Sequence, residues 1–273
     1  MAVWSVHQSE LVSAGLCGEM YRRRYVERDV VPPGLSAHRG TAVHGAAREN
    51  HRQKIKTAID LAVARLREAA VAEFEAAIAR DGYYLSPDEI AAGRKASVGA
   101  AKDTAIRLTD LYASRAAPTI MPALVESEFT IGLPGEIELA GRLDVATVDG
   151  RVLDLKTRGR SMNQRDADSS VQLTMYAVGY RALAGKPPSG VGLEVLVDTS
   201  TPKHQRLVSS RSEGDIAALV ARINALAKAR SSGAFLPVEA GHWLCGPKYC
   251  GYWTSCPFVN SQRAAAADAN ERS

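Results

Sequence analysis

The chain has 273 residues, 46% apolar and 23% charged, with a formal net charge of +4 and a pI near 8.9. That length holds one large domain or two small ones and buries a real core. No apolar run approaches the about 18 residues of a membrane span, and Met1-Ala2-Val3-Trp4-Ser5-Val6-His7 lacks the basic-then-apolar order of a secretion signal. The expected setting is a reducing cytoplasm, where clustered cysteines favour a metal over disulfides. The mild basicity is compatible with nucleic acid without demonstrating it.

In chain order, residues from about Ser9 to Val26 read as a first helix, carrying Cys17 and the basic run Arg22-Arg23-Arg24. Pro32-Pro33-Gly34 breaks the chain, and His38 to Arg52 then looks helical, with a small-residue face of Ala42, Val43, Ala46 and Ala47. Lys54 to Arg80 has the period of a long amphipathic helix, ended by Asp81-Gly82. Ser86-Pro87-Asp88-Glu89 is a capping box with proline at the first helical position, opening a helix to about Arg115. The period then changes to two: Ala123 to Leu133 and Ile137 to Val148 alternate, Asp149-Gly150 signals a hairpin, and Arg151 to Lys156 forms the next strand. Ser169 to Leu183 returns to helical spacing. Gly190 to Val197 and His204 to Val208 read as strands, and Ser212 to Ser232 as a last helix. Residues 261–273 are Ala- and Asn-rich, and a frayed tail is expected there. This order predicts an α/β layer with a helical N-terminal portion.

The hairpin carries the chemistry. Phosphodiester hydrolysis needs a cation to offset charge on phosphoryl oxygens and a positioned water. Mg²⁺ and Mn²⁺ take hard oxygen ligands and keep several waters. Asp144, in Gly141-Arg142-Leu143-Asp144, lies near the end of one strand, and Asp154, in Asp154-Leu155-Lys156-Thr157, on the next. Counting outward from the turn sets Asp144 beside the neighbourhood of residue 155. Asp154 and Lys156, two apart, share a face. Charged residues inside an apolar strand are almost never left buried unless paired or functional.

With these residues the chain resembles the PD-(D/E)xK nuclease superfamily, in its RecB-like exonuclease branch. The pieces come in order: His44 in Arg39-Gly40-Thr41-Ala42-Val43-His44, Glu126 in Val125-Glu126-Ser127-Glu128-Phe129, Asp144, the Asp154-x-Lys156 signature, and Gln172 with Tyr176 in Gln172-Leu173-Thr174-Met175-Tyr176. The resemblance implies a restriction-endonuclease-like mixed central sheet flanked by helices. It implies one nuclease domain over residues 1–260, with a helical insertion at about 54–117 and a core at about 120–232. It makes Asp144, Asp154, the Leu155 carbonyl and His44 ligands of Mg²⁺ or Mn²⁺. Lys156 would position or activate water, Glu126 would assist the metal or the lysine, and Gln172 and Tyr176, one helical turn apart, would brace Lys156 or touch DNA. Glu128 shares the strand face of Glu126, so a register swap between the two stays open.

Cys17 stands alone near the N-terminus, and Cys245, Cys250 and Cys256 form Cys-x4-Cys-x5-Cys-Pro near the C-terminus. Four thiolates complete the ligand set of a [4Fe–4S] cluster or a structural zinc. The dispersed pattern resembles the iron–sulfur nucleases, the AddB nuclease domain and the CRISPR-adaptation exonucleases. The departure is a first gap of four residues where those families often have two, which leaves room for zinc. The implied cluster clasps the two chain ends in a structural role, with Trp243, Tyr249, Tyr252, Trp253 and Phe258 expected to shield it.

Arg22-Arg23-Arg24, Arg158, Arg160 and Arg165 are candidate phosphate contacts. There is no Gly-x4-Gly-Lys-Ser/Thr phosphate loop, hence no helicase motor, and no helix-turn-helix or zinc-finger signature. The expected activity is therefore a stand-alone, metal-dependent DNA exonuclease acting on single strands or ends in recombination, repair or CRISPR adaptation. The resemblance leans to 5′→3′ polarity and to a bacterial or phage-infected cell. A helicase, an annealase or a CRISPR-adaptation protein is the kind of partner it would serve. The alternative is a non-catalytic subunit that holds DNA ends.

Overall fold

The computed structural model describes residues 3–259; the tail expected over 261–273 lies outside them. Its centre is a six-stranded mixed sheet. The strands are β1 (Trp4–Val6), β2 (Pro122–Leu133), β3 (Ile137–Thr147), β4 (Arg151–Arg158), β5 (Gly190–Val197) and β6 (Lys203–Ser209). β2 runs antiparallel along nearly the whole of β3. The other edge of β3 is therefore shared: β1 pairs in parallel with residues 137–139, and β4 pairs antiparallel only at Val145↔Leu153 and Ala146↔Val152. Beyond that short ladder β4 turns to β5 as a parallel neighbour, and β6 closes the order antiparallel to β5. A gap thus opens between β3 and β4 at Asp144 and Asp154.

Helices cover both faces. α1 (Gln8–Leu16), α8 (Val171–Ala184) and α9 (Glu213–Ser232) pack on one, through Leu11, Leu173, Met175, Tyr180, Leu219 and Ile223. On the other, α3 (Leu35–Thr57) and α6 (Arg94–Leu111) set Val43, Ala47 and Leu108 against Val145, Leu153, Leu155 and Leu196. Outside them α4 (Val63–Asp81) packs Leu66, Ala70 and Phe74 on the alanine face of α3, with Ala101 and Ala105 of α6 closing the cluster. Among the described residues no helix is long and apolar enough to cross a membrane.

The structure redraws several boundaries. The first helix is interrupted at Cys17, which is extended (φ −161°), giving α1, the short α2 (Gly18–Tyr21) and a π-turn over Arg22–Val26. The cause lies far along the chain. Gly18 donates its N–H to Leu236 O at 2.8 Å, and a Cβ on Gly18 would stand 2.4 Å from that oxygen. α3 runs past the expected break at residue 52 to Thr57, and Ala58 takes a left-handed conformation (φ 60°). No Gly or Pro marks that turn. Asn50 holds it instead, accepting from Leu61 N at 2.7 Å and donating to Asp60 at 2.8 Å, while Lys54 donates to Asp60 and to Ala117 O. The capping box at Ser86 forms, but its helix, α5 (Pro87–Ala91), stops at Gly93 (φ 93°) before α6 begins. Periodicity gives no sign of β1 or of the short α7 (Gln164–Asp168).

Two glycines fix how closely α8 approaches the sheet. Phe129 of β2 pairs with Gly141 of β3. A Cβ on Gly141 would lie 2.6 Å from the Phe129 ring, and one on Gly179 of α8 2.4 Å from it. The ring is 5% exposed and has nowhere to yield. Gly179→Ala is therefore expected to lower stability by about 1–3 kcal/mol, read from urea unfolding. It should also lower any activity that depends on Gln172 and Tyr176, which sit on the same helix.

Candidate active site

Where β4 leaves β3, Leu155 N–H has no strand partner and is taken by a side chain: Asp144 Oδ2 accepts it at 3.1 Å. The other oxygen, Oδ1, accepts from Tyr176 OH at 3.0 Å. Burial, then Asp144 and Asp154, raise the Tyr176 phenol far above its ordinary range, so it stays protonated and donates. Gln172 Nε2 donates to Tyr176 OH at 2.9 Å, and its Oε1 accepts from Lys156 Nζ at 2.6 Å. Lys156 Nζ lies 2.9 Å from Asp154 Oδ2. The polar chain is therefore continuous from Asp154 through Lys156, Gln172 and Tyr176 to Asp144. An ammonium only donates, and that fixes the orientation of the Gln172 amide.

Asp154 is wholly buried, and neither of its oxygens accepts a well-aligned hydrogen bond among the described residues, although the ammonium of Lys156 is close. Burial is the dominant cause of its raised pKa, about 6; Lys156 pulls it down and Asp144 pushes it up. Glu126 falls between the pairs Val125↔Val145 and Ser127↔Leu143, opposite Asp144, and holds a left-handed backbone (φ 49°). Such a conformation costs energy for a side chain of this size and persists where its surroundings enforce it. Burial and Asp144 raise its carboxyl, and Arg142, 3.0 Å away, is the leading opposing charge. Glu128 is exposed and pairs across to Arg142, so Glu126 is the glutamate that faces the cleft. His44 of α3 approaches from the other side, its Nδ1 3.3 Å from Asp144 Oδ2.

His44, Glu126, Arg142, Asp144, Gln172 and Tyr176 line a cleft of about 570 Å³, together with Thr41, Arg48, Glu73 and Arg80, while Asp154 and Lys156 lie behind this lining. Arg48 joins the site from outside the motifs that point to it, and Arg142 joins from within Gly141-Arg142-Leu143-Asp144, where the motif gives it no role. Arg48 is one helical turn beyond His44, and Arg142 is two residues before Asp144 on a strand, spacings from which both can be found. Arg158, Arg160 and Arg165 are exposed at the end of β4, in the following loop and on α7, outside this cleft. Arg22 is tied to Glu19 and Glu27, and Arg23 to Asp29, which leaves Arg24 as the exposed member of that run.

The donor set suits a hard divalent cation, and the orphaned Asp154 oxygens are what such an ion would satisfy. The ligands are not closed around a point: among the described residues no three His, Cys, Asp or Glu side chains already form a metal-holding group. None of the four cysteines forms a disulfide, and all are half-buried. Burial raises the Cys245 and Cys250 thiols first, and further contributions come from Cys17 and Cys256, so the two chain ends do converge. The expected aromatic shield is not what the structure shows. Trp243, Tyr249 and Phe258 are 60%, 56% and 50% exposed, and of the five only Tyr252 is fully buried, because the Cys245–Cys256 segment is a run of turns with little chain to cover them.

The chain belongs to the PD-(D/E)XK nuclease superfamily, whose family model matches residues 4–257. The crystal structure of a protein from Eubacterium rectale, provisionally named an exonuclease, is similar in fold with a TM-score of 0.56 at 10% identity, over 88% of this chain and 86% of that one. The crystal structure of SSO0001 gives a TM-score of 0.35 at 16% identity, over 63% and 79%, too remote in shape to bear on the argument. No curated protein matches the sequence.

Beneath Asp144 a cavity of about 20 Å³ is lined by His51, Tyr112, Glu126 and Glu194. His51 Nε2 stands 2.8 Å from Tyr112 OH, and burial pushes its pKa from 6.5 down to about 4. A depressed histidine favours folding while neutral. That stability is complete above about pH 6.5 and is lost as the pH falls through 4. The drop corresponds to about 3 kcal/mol. Urea unfolding between pH 7 and 4 should show this loss in the wild type and a smaller one in His51→Gln.

Proposed function

We propose that the protein is a divalent-metal-dependent deoxyribonuclease that removes nucleotides from DNA ends or single strands. The observation that carries this reading is the wholly buried Asp154 carboxylate, ion-paired with Lys156 but without an aligned hydrogen bond, at one end of a continuous polar chain that also fixes Asp144. Folding selects against such a group unless a ligand compensates it. Asp144, Asp154 and the Leu155 carbonyl would hold Mg²⁺ or Mn²⁺, with His44 and Glu126 beside them. The bound cation would offset negative charge on the phosphoryl oxygens.

The protein's own groups do the rest. In hydrolysis a water oxygen bonds to phosphorus and the P–O bond to the leaving oxygen breaks. Lys156, ion-paired with Asp154 and hydrogen-bonded to Gln172, keeps ammonium protons to orient that water or meet a phosphoryl oxygen. Gln172 and Tyr176 act as positioning residues: they hold Lys156 and Asp144 at fixed separation. Action at ends is supported by the absence of a base-reading motif and by the name of the Eubacterium rectale protein. The 5′→3′ polarity and the setting in recombination, repair or CRISPR adaptation rest on the family resemblance, as do partners of the helicase, annealase or adaptation type. In the same reading Cys17, Cys245, Cys250 and Cys256 hold a structural [4Fe–4S] cluster that clasps the chain ends.

The test is anaerobic purification with metal analysis, then digestion of an end-labelled linear strand and a covalently closed circle in Mn²⁺. The wild type should carry about four irons per chain and degrade the linear strand while sparing the circle. Lys156→Ala should be slower by about 10²–10³-fold. A colourless zinc protein that still cuts would retain the nuclease and remove the cluster. Equal cutting of the circle would make the enzyme an endonuclease. Binding without cutting would favour the end-holding subunit.

A further inference from the structure

A second cleft, of about 540 Å³, opens beside the active site, between α1, the Pro32-Pro33 loop and the cysteine-bearing segment. Three observations distinguish it. Gln8 and Ser9 line both clefts, so the second continues the first. Its walls hold Arg24 and Lys248 but, among the described residues, no Asp or Glu. Arg24 is exposed, and Lys248 has an exposed partner, Asp88 at 3.2 Å, in a pair that a stronger anion displaces readily. The walls are also aromatic: Tyr25, Tyr84, Tyr249 and Tyr252 line it. Tyr249 is 56% exposed and meets the equally exposed Trp243 edge-on at 5.4 Å.

We propose that this cleft is the track for the single-stranded part of the substrate, with Tyr249 as a stacking platform and Arg24 and Lys248 as phosphate contacts. The proposal rests on the nuclease reading above and specifies its substrate as a strand that extends beyond the cleaved end. Single-strand sites combine a cationic, carboxylate-free groove with aromatic faces on which bases stack in any sequence. A duplex would present its phosphates outside and its bases stacked on each other, leaving Tyr249 unused. Tyr249 and Trp243 together present exposed ring faces beside the groove, the kind of surface on which bases stack. The cysteine-bearing segment forms one wall of the track, tied down where Tyr252 OH donates to Asp29 O.

The test uses the full chain, with its cysteine segment as purified and Lys156→Ala as the uncut background. Labelled oligothymidylates of about 4 to 16 nucleotides, the range of known single-strand sites, are titrated in EDTA. Affinity should rise with length. Tyr249→Ala should weaken the longest strand about tenfold and the shortest hardly at all, and Tyr249→Trp should restore it. Arg24→Glu with Lys248→Glu, both at the surface, should flatten the dependence of log affinity on log salt by about 1.4, at about 0.7 per phosphate contact. If every variant keeps its fold by circular dichroism and binds long strands like the parent, the track is wrong and the cleft serves another partner, such as a protein. If a blunt duplex is bound with the same sensitivity to Tyr249→Ala, it is also wrong. The nuclease reading fails separately: wild type in Mn²⁺ would leave every strand uncut, while length-dependent binding and its loss in Tyr249→Ala would still decide the track.

Discussion

One buried charge organises this molecule. Asp154 sits on a strand with no exposure, and the nearest opposite charge, Lys156, is two residues on along the same face. Removing a carboxylate from water is unfavourable, and a single ammonium with imperfect hydrogen-bond geometry offsets it only in part. The remainder of the site serves to keep the arrangement from relaxing. Gln172 holds Lys156 from the far side, Tyr176 holds Gln172 and Asp144, and Asp144 takes the backbone N–H that β4 exposes as it leaves β3. The gap between the strands creates the site, and the carboxylate that lines the gap also satisfies the backbone around it.

The layers explain why this geometry holds. α8 is capped by Ser170 at its start and by Gly185 at its end, so its register over the sheet is set. Gly179 lets it descend onto Phe129, which in turn lies on Gly141, three residues before Asp144. From the opposite side α3 brings His44 and Arg48 in one turn, held by the packing of Gly45 under Glu73 and by the Arg48–Glu73 pair at 2.7 Å. At Glu126 the backbone itself carries strain to hold a side chain at the cleft.

Much of this was legible in the residues. The change from helical to alternating period, the Asp149-Gly150 turn and the two-residue spacing of Asp154 and Lys156 led directly to the hairpin and its shared face. The four-residue spacing of Gln172 and Tyr176 gave their common direction. What stayed hidden depended on contacts between distant parts of the chain. The break at Cys17 is made by Leu236, and the turn after α3 by Asn50, Lys54 and Asp60 in place of any glycine or proline. The three residues of β1 are too few to show a period, and they pair only because β4 leaves that edge of β3 open. Trp243 and Tyr249 are exposed where shielding was expected, since a sequence shows that aromatics cluster near cysteines but not which side of them faces water.

Whether Asp154 is held charged and without an aligned hydrogen bond for a cation is decided by unfolding wild type and Asp154→Asn in urea at neutral pH, in EDTA and then in Mn²⁺. Without metal Asp154→Asn should be at least as stable as the wild type, because a neutral amide is easier to bury. With Mn²⁺ the wild type should gain stability by mass action and the variant should not, so that their order reverses. If Asp154→Asn is instead clearly less stable in EDTA, and Mn²⁺ changes neither protein, then Asp154 is a structural partner of Lys156 and the site is not built around a metal.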